Sequence, residues 1–347
     1  MKKWLIAMAA ALAVMVTMAP VRAGARTTDT TFEVMSQNLY IGADLSRLLA
    51  GESPAAVLQT VQETDFPGRA VKIAEAIDDF NPDLVGLQEV SLITVSDTSG
   101  QVLFQLDYLK ILLDALAQQG EHYAVASTVI DSDVTLPIDA GTLGRVVDRD
   151  VIIYRTQTTS VSHPASANYT TNFATTIGDF PITFTRGYTA VEASVAGRKI
   201  RFVNTHLEVE GAPCATPTGL VICQDVQAVE LQHALAREEL PTVLVGDFNA
   251  EPGMAAYNTI DRGGYLDTWT IRVPYNNEPG FTCCQSEKLT NVESQLSQRI
   301  DHIFLSDGDF GKITAVTTVV GDWDQRKTPG GLWYSDHGGP YARISRK

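Results

Sequence analysis

The sequence has few basic residues and no cluster of them. It contains 26 lysines and arginines against 41 aspartates and glutamates, which gives a formal net charge of −15. An acidic protein gains little from non-specific attraction to nucleic acid or to an anionic lipid surface. A phosphate-bearing substrate is still compatible with this charge, because clustered carboxylates bind a divalent cation that supplies positive charge locally.

Cysteine is also scarce, and several common catalytic motifs are missing. The four cysteines are Cys214, Cys223, Cys283 and Cys284, and they form no C-x-x-C pair. Disulfides are therefore expected rather than a zinc site. A local bridge between Cys214 and Cys223 is the first choice among three possible pairings, which the sequence does not separate. There is no serine-nucleophile elbow, H-E-x-x-H motif or phosphate-binding loop.

Long apolar runs are absent except at the N-terminus. Two lysines precede an apolar stretch at residues 4–18, and small residues follow it. This order is typical of a secretory signal, so we predict that residues 1–25 are removed and that the protein is secreted or periplasmic. The stretch is shorter than the ~20 residues of a membrane-spanning helix, which makes an anchor the weaker alternative. Residues 26–347 show no linker, repeat or further span and are predicted to form one domain.

Strand-like and helix-like segments alternate along this domain. Apolar alternation and short buried runs predict strands at residues 32–38, 83–90, 123–130, 151–154, 189–195, 199–205, 242–246, 300–305 and 341–344. Apolar residues at helical spacing predict helices at 68–80, 104–118 and 225–240. Gly197 lies between two strands, which are therefore expected to form a hairpin. Many strands and few helices indicate two sheets packed face to face, with helices outside.

Asp247 and Asn249 follow the apolar strand at 242–246. Because side chains alternate across a strand, both leave it on one side, while Phe248 points to the core. A carboxylate and an amide presented together can hold a water molecule and a phosphate oxygen. The alternative is an ordinary turn, which Asp, Asn and Gly favour for local reasons.

Three further strands end in a polar residue: Asn38, Glu89 and His206. Glu89 is expected to share a face with core residues, so its charge needs a partner, and a metal ion is one. His206 near an anionic site can act as a general acid or bind a phosphate oxygen. Each residue also has a simpler interpretation: a turn-forming asparagine, a solvent-exposed glutamate and a histidine bonded to backbone.

A carboxylate–histidine pair is predicted near the C-terminus. Asp301 is expected to point inward and to need a donor, and His337, which follows Asp336, can provide one. A carboxylate that fixes the tautomer of a histidine supports acid–base or phosphate-binding chemistry. The alternatives are a salt bridge from Asp301 to Arg299 and an ordinary loop at 335–337. His302 faces the other way by alternation and is not expected to be catalytic.

The number of strands that end in a polar residue indicates that these residues form a single pocket. If the strands are neighbours, their ends converge on one edge of the sheets. Carboxylate and amide oxygens at that density select Mg²⁺, with Mn²⁺ or Ca²⁺ as alternatives, over zinc. Arg149 could also reach a phosphate there, although a plain surface arginine is the simpler interpretation.

Together these motifs resemble the endonuclease/exonuclease/phosphatase superfamily, which includes deoxyribonucleases, abasic-site endonucleases, neutral sphingomyelinases and inositol-polyphosphate 5-phosphatases. The resemblance covers residues 32–344 and keeps the family's motif order: Ser36-Gln-Asn38, Gln88-Glu89, Asn204-Thr-His206-Leu, Gly246-Asp-Phe-Asn249, Arg299-Ile-Asp301-His-Ile and Ser335-Asp336-His337. It implies an α/β (α+β) four-layer sandwich, with helices outside two mainly antiparallel sheets. It also implies a metal-dependent phosphoester hydrolase with in-line attack on phosphorus.

The resemblance assigns a role to each motif residue. On the metal side, Glu89 would bind the divalent cation, with Asn38 near it, and Asp336 would complete the network. The other motif residues would act on water and phosphate. The roles are water activation by Asp247, water and phosphate binding by Asn249, phosphate contact by His206 and His337, and orientation of His337 by Asp301.

The substrate stays open between several classes. Tyr40 stands where abasic-site endonucleases carry an acid, so their preference is not assumed. Segments 156–184, 207–223 and 271–298 resemble family-variable insertions and are expected to determine specificity. The motif wording lies slightly nearer to sphingomyelinases. A nuclease, a phospholipid phosphodiesterase and a catalytically silent binding domain are therefore all considered, with no stable protein partner implied. Trp323 and Trp333 could serve a lipid surface, although core packing is the simpler role for each.

Overall fold

The computed structural model describes residues 31–274, 277–321 and 326–346. Its helices are α1 (Ser46–Leu49), α2 (Pro54–Glu63), α3 (Phe66–Phe80), α4 (Tyr108–Gln119), α5 (Cys223–Leu235) and α6 (Ala255–Arg262). Its strands are β1 (Phe32–Asn38), β2 (Leu84–Gln88), β3 (Leu92–Asp97), β4 (Val102–Asp107), β5 (Tyr123–Pro137), β6 (Thr142–Arg155), β7 (Thr159–Asn168), β8 (Phe173–Ile177), β9 (Phe180–Phe184), β10 (Gly187–Val195), β11 (Arg198–His206), β12 (Pro213–Thr216), β13 (Gly219–Ile222), β14 (Thr242–Asp247), β15 (Tyr265–Asp267), β16 (Asp301–Ser306), β17 (Ile313–Val320) and β18 (Gly339–Arg346). The predicted signal at 1–25 and Trp323 lie outside the described residues.

Two large sheets organise the strands. The first has the order β17-β18-β1-β2-β6-β3-β4, with β5 paired to β6, and the second has the order β15-β16-β14-β11-β10-β7. Strands β1 and β2 are parallel, and so are β11 and β14. The other pairs in both sheets are antiparallel. The predicted pair of mainly antiparallel sheets is therefore confirmed.

Apolar side chains pack the two sheets together and fasten helices to their outer faces. Val34 of the first sheet and Phe202 and Ile303 of the second share one buried cluster between the sheets. On the outer face of the first sheet, α3 contributes buried residues such as Ile73. On the outer face of the second sheet, α5 contributes Leu231. These contacts give the four-layer sandwich that the resemblance implies.

All three predicted helices have different bounds in the structure, and the helix predicted at 68–80 begins two residues earlier, at Phe66. The helix predicted at 104–118 is wrong in its first turn, because Val102–Asp107 forms β4 and pairs with β3. Leu106 still packs against the helical-layer core from the strand, which explains why the leucine spacing misled the prediction. Helix α5 ends at Leu235 rather than at 240. Pro241 lies just beyond, and a proline disfavours helical conformation in the residue before it.

The predicted insertions carry small hairpins and the cysteines. Strands β8 and β9 pair within segment 156–184, and β12 and β13 pair within segment 207–223. The disulfide Cys214–Cys223 confirms the first-choice pairing, and Cys283 pairs with its neighbour Cys284. Trp333 is buried, as the simpler interpretation expected. Among the described residues, no helix is long and apolar enough to cross a membrane.

Candidate active site

Strand register brings the predicted residues to one edge of the sandwich. In the first sheet, parallel β1 and β2 end side by side, at Asn38 and just before Glu89. In the second sheet, the end of β11 at His206 lies opposite Asp247, the last residue of β14. Antiparallel β16 begins at Asp301, which also lies opposite Asp247. Distant parts of the chain therefore meet at a single rim.

The amide of Asn38 links the carboxylates of the two sheets. Its Nδ2 donates to Oε1 of Glu89 and to Oδ2 of Asp247, at 3.0 Å in each case. Its Oδ1 accepts from the backbone N–H of Tyr40 at 2.9 Å. The other oxygen of Glu89 accepts from the backbone N–H of Ile41 at 2.6 Å. Both carboxylates are thus held in fixed orientations.

His337 lies among three carboxylates. Its Nδ1 donates to Oδ2 of Asp301 at 2.8 Å. Its Nε2 lies 3.8 Å from Oδ2 of Asp247 and 3.9 Å from Oδ1 of Asp336. Burial lowers the pKa of His337, but the charges of Asp301, Asp336 and Asp247 together raise it well above its usual range. The ring is therefore an imidazolium that can donate a proton on the side facing Asp247.

The second histidine, His206, is neutral. Burial, the Arg186 guanidinium and His337 hold the pKa of His206 well below its usual range. Nη1 of Arg186 lies 3.0 Å from Nδ1 of His206. Arginine only donates, so Nδ1 accepts and the ring proton lies on Nε2, 3.6 Å from Oδ2 of Asp247. The amide nitrogen of Asn249, 3.3 Å from the same Nε2, also donates, so that approach is not a hydrogen bond in this tautomer.

Burial and neighbouring carboxylates raise the pKa values of two acids of the site. Burial and then the charge of Asp301 raise the pKa of Asp247 to about 7. Burial raises the pKa of Asp336 to about 7 as well, with Glu89 adding to the effect against the opposing charge of His337. Asp301 keeps one oxygen, Oδ1, buried without a hydrogen-bond partner. Negative charge is concentrated here beyond what the neighbouring side chains neutralise.

Left-handed backbone conformations shape this rim. Tyr40, Glu89 and Asn249 have φ angles of 59°, 54° and 50°. Such angles are uncommon outside glycine and cluster at functional sites. Because Glu89 adopts this conformation just beyond β2, simple strand alternation does not determine where its side chain points. The prediction placed Glu89 in the site, but for a reason that the backbone does not follow.

Arg186 is a site residue that the motif search missed. It lies beside His206 and 3.6–3.7 Å from Glu208 and Asp148. The sequence held a signal for it, because the predicted hairpin around Gly197, continued past its predicted ends, brings the residues before 189 close to His206. The structure pairs Gly187 with His206, which places Arg186 beside that histidine. Arg149, by contrast, donates to Asp107 and to a backbone carbonyl and does not line the cleft.

A second buried acid group lies behind Arg186. Asp131 and Asp150 are fully buried, and each can offer an oxygen within 4.8 Å of a ring nitrogen of His206. Burial raises the pKa of both acids well above its usual range, with their negative neighbours adding to the effect. Arg186 is the cation that partly offsets their charge. His302, as predicted, faces away and bonds to the carbonyl of Ala250.

The donor set of the rim suits a hard divalent cation. Asp247 and Asp301 each offer a carboxylate oxygen within 4.8 Å of the other and of a ring nitrogen of His337, which as an imidazolium is not itself a ligand. Glu89 and Asp336 add carboxylate oxygens and line the same cleft, which has a volume of about 550 Å³. Oxygen ligands of this kind favour Mg²⁺, Mn²⁺ or Ca²⁺. Oδ1 of Asp301 is buried without a hydrogen-bond partner, and a bound cation nearby would offset the cost of burying these carboxylates.

Comparison with known proteins agrees with this architecture. Three of the solved structures that align with the chain come from Bacteroides thetaiotaomicron and D. rerio. An endonuclease/exonuclease/phosphatase family protein of the bacterium is 18% identical with a TM-score of 0.56, covering 92% of this chain and 99% of that one. The mannosyl-6-phosphatase Bt3783 of the same bacterium is 18% identical with a TM-score of 0.53, and the alignment covers 90% of this chain and 99% of that one. TDP2 from D. rerio, complexed with single-strand DNA product, is 16% identical with a TM-score of 0.52, and the alignment covers 91% of this chain and 100% of that one.

These structural likenesses show the shared fold, and the sequence comparisons address the family. No curated protein matches the chain in sequence. The model of the endonuclease/exonuclease/phosphatase family matches residues 58–337, well over half of the chain. The protein therefore belongs to the endonuclease/exonuclease/phosphatase family.

Proposed function

We propose that the protein is a secreted, Mg²⁺-dependent phosphodiesterase. The observation that carries the proposal is the Asn38 amide, which holds Glu89 and Asp247 together beside the charged ring of His337. Family membership supports a phosphoester hydrolase. Export is supported by the signal-like residues 1–25.

Glu89 and Asp336 would hold the cation, with Asn38 beside them. A divalent cation there supplies charge neutralisation for the phosphoryl oxygens as negative charge develops on them. The hydrogen bonds from Ile41 N and Asn38 Nδ2 fix the orientation of Glu89 before anything binds. A ligand held in this way loses little conformational freedom on binding.

Asp247, Asn249 and the two histidines would carry the reaction. The carboxylate of Asp247 accepts a proton from water as the water oxygen attacks phosphorus in line. The ester P–O bond opposite breaks, and His337 protonates the departing oxygen. Asp301 keeps His337 charged and oriented, while His206 donates a hydrogen bond from Nε2–H to a phosphoryl oxygen and Asn249 binds the same group. Near neutral pH, an acid whose pKa is about 7 is suited to proton transfer.

A phosphodiester fits this site better than a phosphomonoester. A diester carries one negative charge, whereas a monoester carries about 1.5–2 at neutral pH. The rim is rich in carboxylates, so the additional charge of a monoester is costly there. The named neighbours include both a sugar phosphatase and a protein complexed with DNA product. Nucleic acid and phospholipid headgroups are therefore the substrate classes to compare first.

Steady-state hydrolysis of bis(4-nitrophenyl) phosphate and of 4-nitrophenyl phosphate tests the proposal. The mature protein should cleave the diester in Mg²⁺ and prefer it to the monoester. Asp247→Asn should abolish turnover, while Asp114→Asn, which changes an exposed acid on α4, should not. A folded Asp247→Asn variant with most of its activity would refute the site, and a wild-type protein inactive on every phosphoester would favour the silent binding domain.

A further inference from the structure

An apolar pocket adjoins the catalytic cleft. It has a volume of about 100 Å³ and is lined by Leu48, Val57, Val61, Ile93, Leu136 and Ile177, among others. Ser132 contributes the one polar side chain among the residues that line it. The contrast with the adjoining rim, which is dominated by carboxylates and histidines, is sharp.

The pocket and the cleft share a wall. Ile41, Leu45, Ser132, Val146 and Phe184 line both of them. Ile41 also donates its backbone N–H to Glu89, so the entrance of the pocket lies one residue from the metal-side carboxylate. The pocket therefore adjoins the part of the cleft that would hold the phosphate.

An insertion completes the pocket wall. Ile177 of β8 and Phe184 of β9 belong to the segment 156–184, which the sequence marks as family-variable. With Leu136 and Val134 of β5 and Leu48 of α1, they form a small apolar cluster of their own. The pocket wall is thus formed partly by a segment that the sequence analysis expects to be an insertion.

We propose that this pocket binds an aliphatic arm of the substrate, so that the preferred substrates are phosphodiesters of aliphatic alcohols. The inference rests on the proposed function and names its substrate class. A cavity of 150 Å³ accepts benzene, so a pocket of about 100 Å³ accommodates about four carbons. Each buried methylene contributes a transfer free energy that corresponds to about fourfold in affinity.

Binding of alkyl phosphates by the mature protein in Mg²⁺ tests the inference. A monoalkyl phosphate has a single arm, which can enter the pocket whichever ester bond is normally cleaved. Calorimetric dissociation constants for methyl, ethyl, propyl, butyl and hexyl phosphate should decrease about fourfold per carbon as far as butyl and then level off. Inhibition constants against bis(4-nitrophenyl) phosphate should follow the same series.

Leu48→Trp places a large side chain in the pocket without touching the cleft, because Leu48 lines only the pocket. It should remove the chain-length dependence and leave methyl phosphate binding unchanged. Val95→Ala should move the optimum to a longer chain. Val316→Trp, at an exposed position on β17, should behave as wild type.

The outcomes separate this inference from the proposed function. Hydrolysis of the diester together with equal affinity for all alkyl phosphates would overturn the pocket and leave the enzyme intact. Chain-length-dependent binding without hydrolysis would support the proposed pocket and contradict the proposed phosphodiesterase activity. Because the rim disfavours the extra charge of a monoester, the series is repeated with methyl alkyl phosphate diesters as inhibitors, and absence of chain-length dependence in both series would overturn the proposed pocket. Should the variants fail to fold, the two wild-type series alone decide.

Discussion

Replacing Asp301 by asparagine should discharge His337. The asparagine keeps the size of the side chain but removes the charge that holds the imidazolium. Among the groups that raise the pKa of His337, Asp301 has the largest effect. The ring in the variant should therefore be neutral at pH values where the wild-type ring is charged.

The geometry sets the magnitude. Nδ1 of His337 and Oδ2 of Asp301 are 2.8 Å apart, and both side chains are at most 7% exposed. Removing one partner of a buried ion pair costs about 3–5 kcal/mol, and one pKa unit corresponds to ~1.36 kcal/mol. We therefore expect the pKa of His337 to fall by about two to four units. At pH 8 the loss of the proton donor should lower kcat by about 100-fold, a typical contribution of a general acid.

The pH dependence has a definite sign. A lower pH restores the proton, so the deficit in kcat should shrink between pH 8 and pH 6. In the wild type, a raised histidine pKa stabilises the fold below the unfolded pKa of about 6.5, and this contribution is lost as the pH rises through the folded-state pKa. Wild type and Asp301→Asn should therefore differ most in urea stability near pH 6.

Initial rates from pH 5.5 to 9, with Asp114→Asn as the exposed control, measure the effect on kcat. Proton NMR of the His337 ring across the same range reports its charge directly. An Asp301→Asn variant whose kcat profile and His337 titration both coincide with those of wild type would refute the carboxylate–imidazolium assignment.

Three further predictions follow from the same geometry. Burial raises the pKa of Asp247 to about 7. An acid whose pKa is higher in the folded state than in the unfolded state destabilises the fold as the pH rises from about 4 to 7. Asp247→Asn in EDTA at pH 8 should thus raise the free energy of unfolding by about 4 kcal/mol, and lower stability in urea would contradict this. Arg186 lines the cleft, so we expect its guanidinium to contact the phosphate. Arg186→Gln should raise KM for the diester about 10–100-fold, as expected for a lost charge-assisted hydrogen bond. Arg186→Lys should be intermediate, and an unchanged KM would exclude that contact. Replacing both Cys214 and Cys223 by serine opens a loop of about ten residues and should cost about 2–3 kcal/mol, which an unchanged urea midpoint would contradict.

The sequence carries much of the fold because its strands are short, apolar and separated by clear turn signals. The bounds of β1 were predicted to the residue. The start of α4 was not, because Leu106 packs on the same core from either conformation and pairing with β3 decides between them. The ends of β5 and β6 extend well beyond their predicted apolar parts, since cross-strand pairing continues through polar residues there.

The site residues were predictable because polar residues at strand ends are conspicuous. Their contacts were not, since local patterning says nothing of which strands are neighbours across the two sheets. Asp131 and Asp150 lie inside or beside long strands and carry no motif, so their burial next to His206 becomes visible only in three dimensions. The apolar pocket combines α1, α2, β3, β5 and an insertion, and no single stretch of sequence encodes it.

Calorimetric titration of EDTA-treated protein with Mg²⁺ tests the central claim, that polar groups from both sheets grip a hard cation at one rim. Wild type should bind Mg²⁺ and recover diester hydrolysis in proportion to occupancy. Glu89→Gln should bind it at least about tenfold more weakly, consistent with the loss of a charged ligand, whereas Glu75→Gln on α3 should bind normally. Equal Mg²⁺ affinity in Glu89→Gln, or hydrolysis that is indifferent to EDTA, would contradict it.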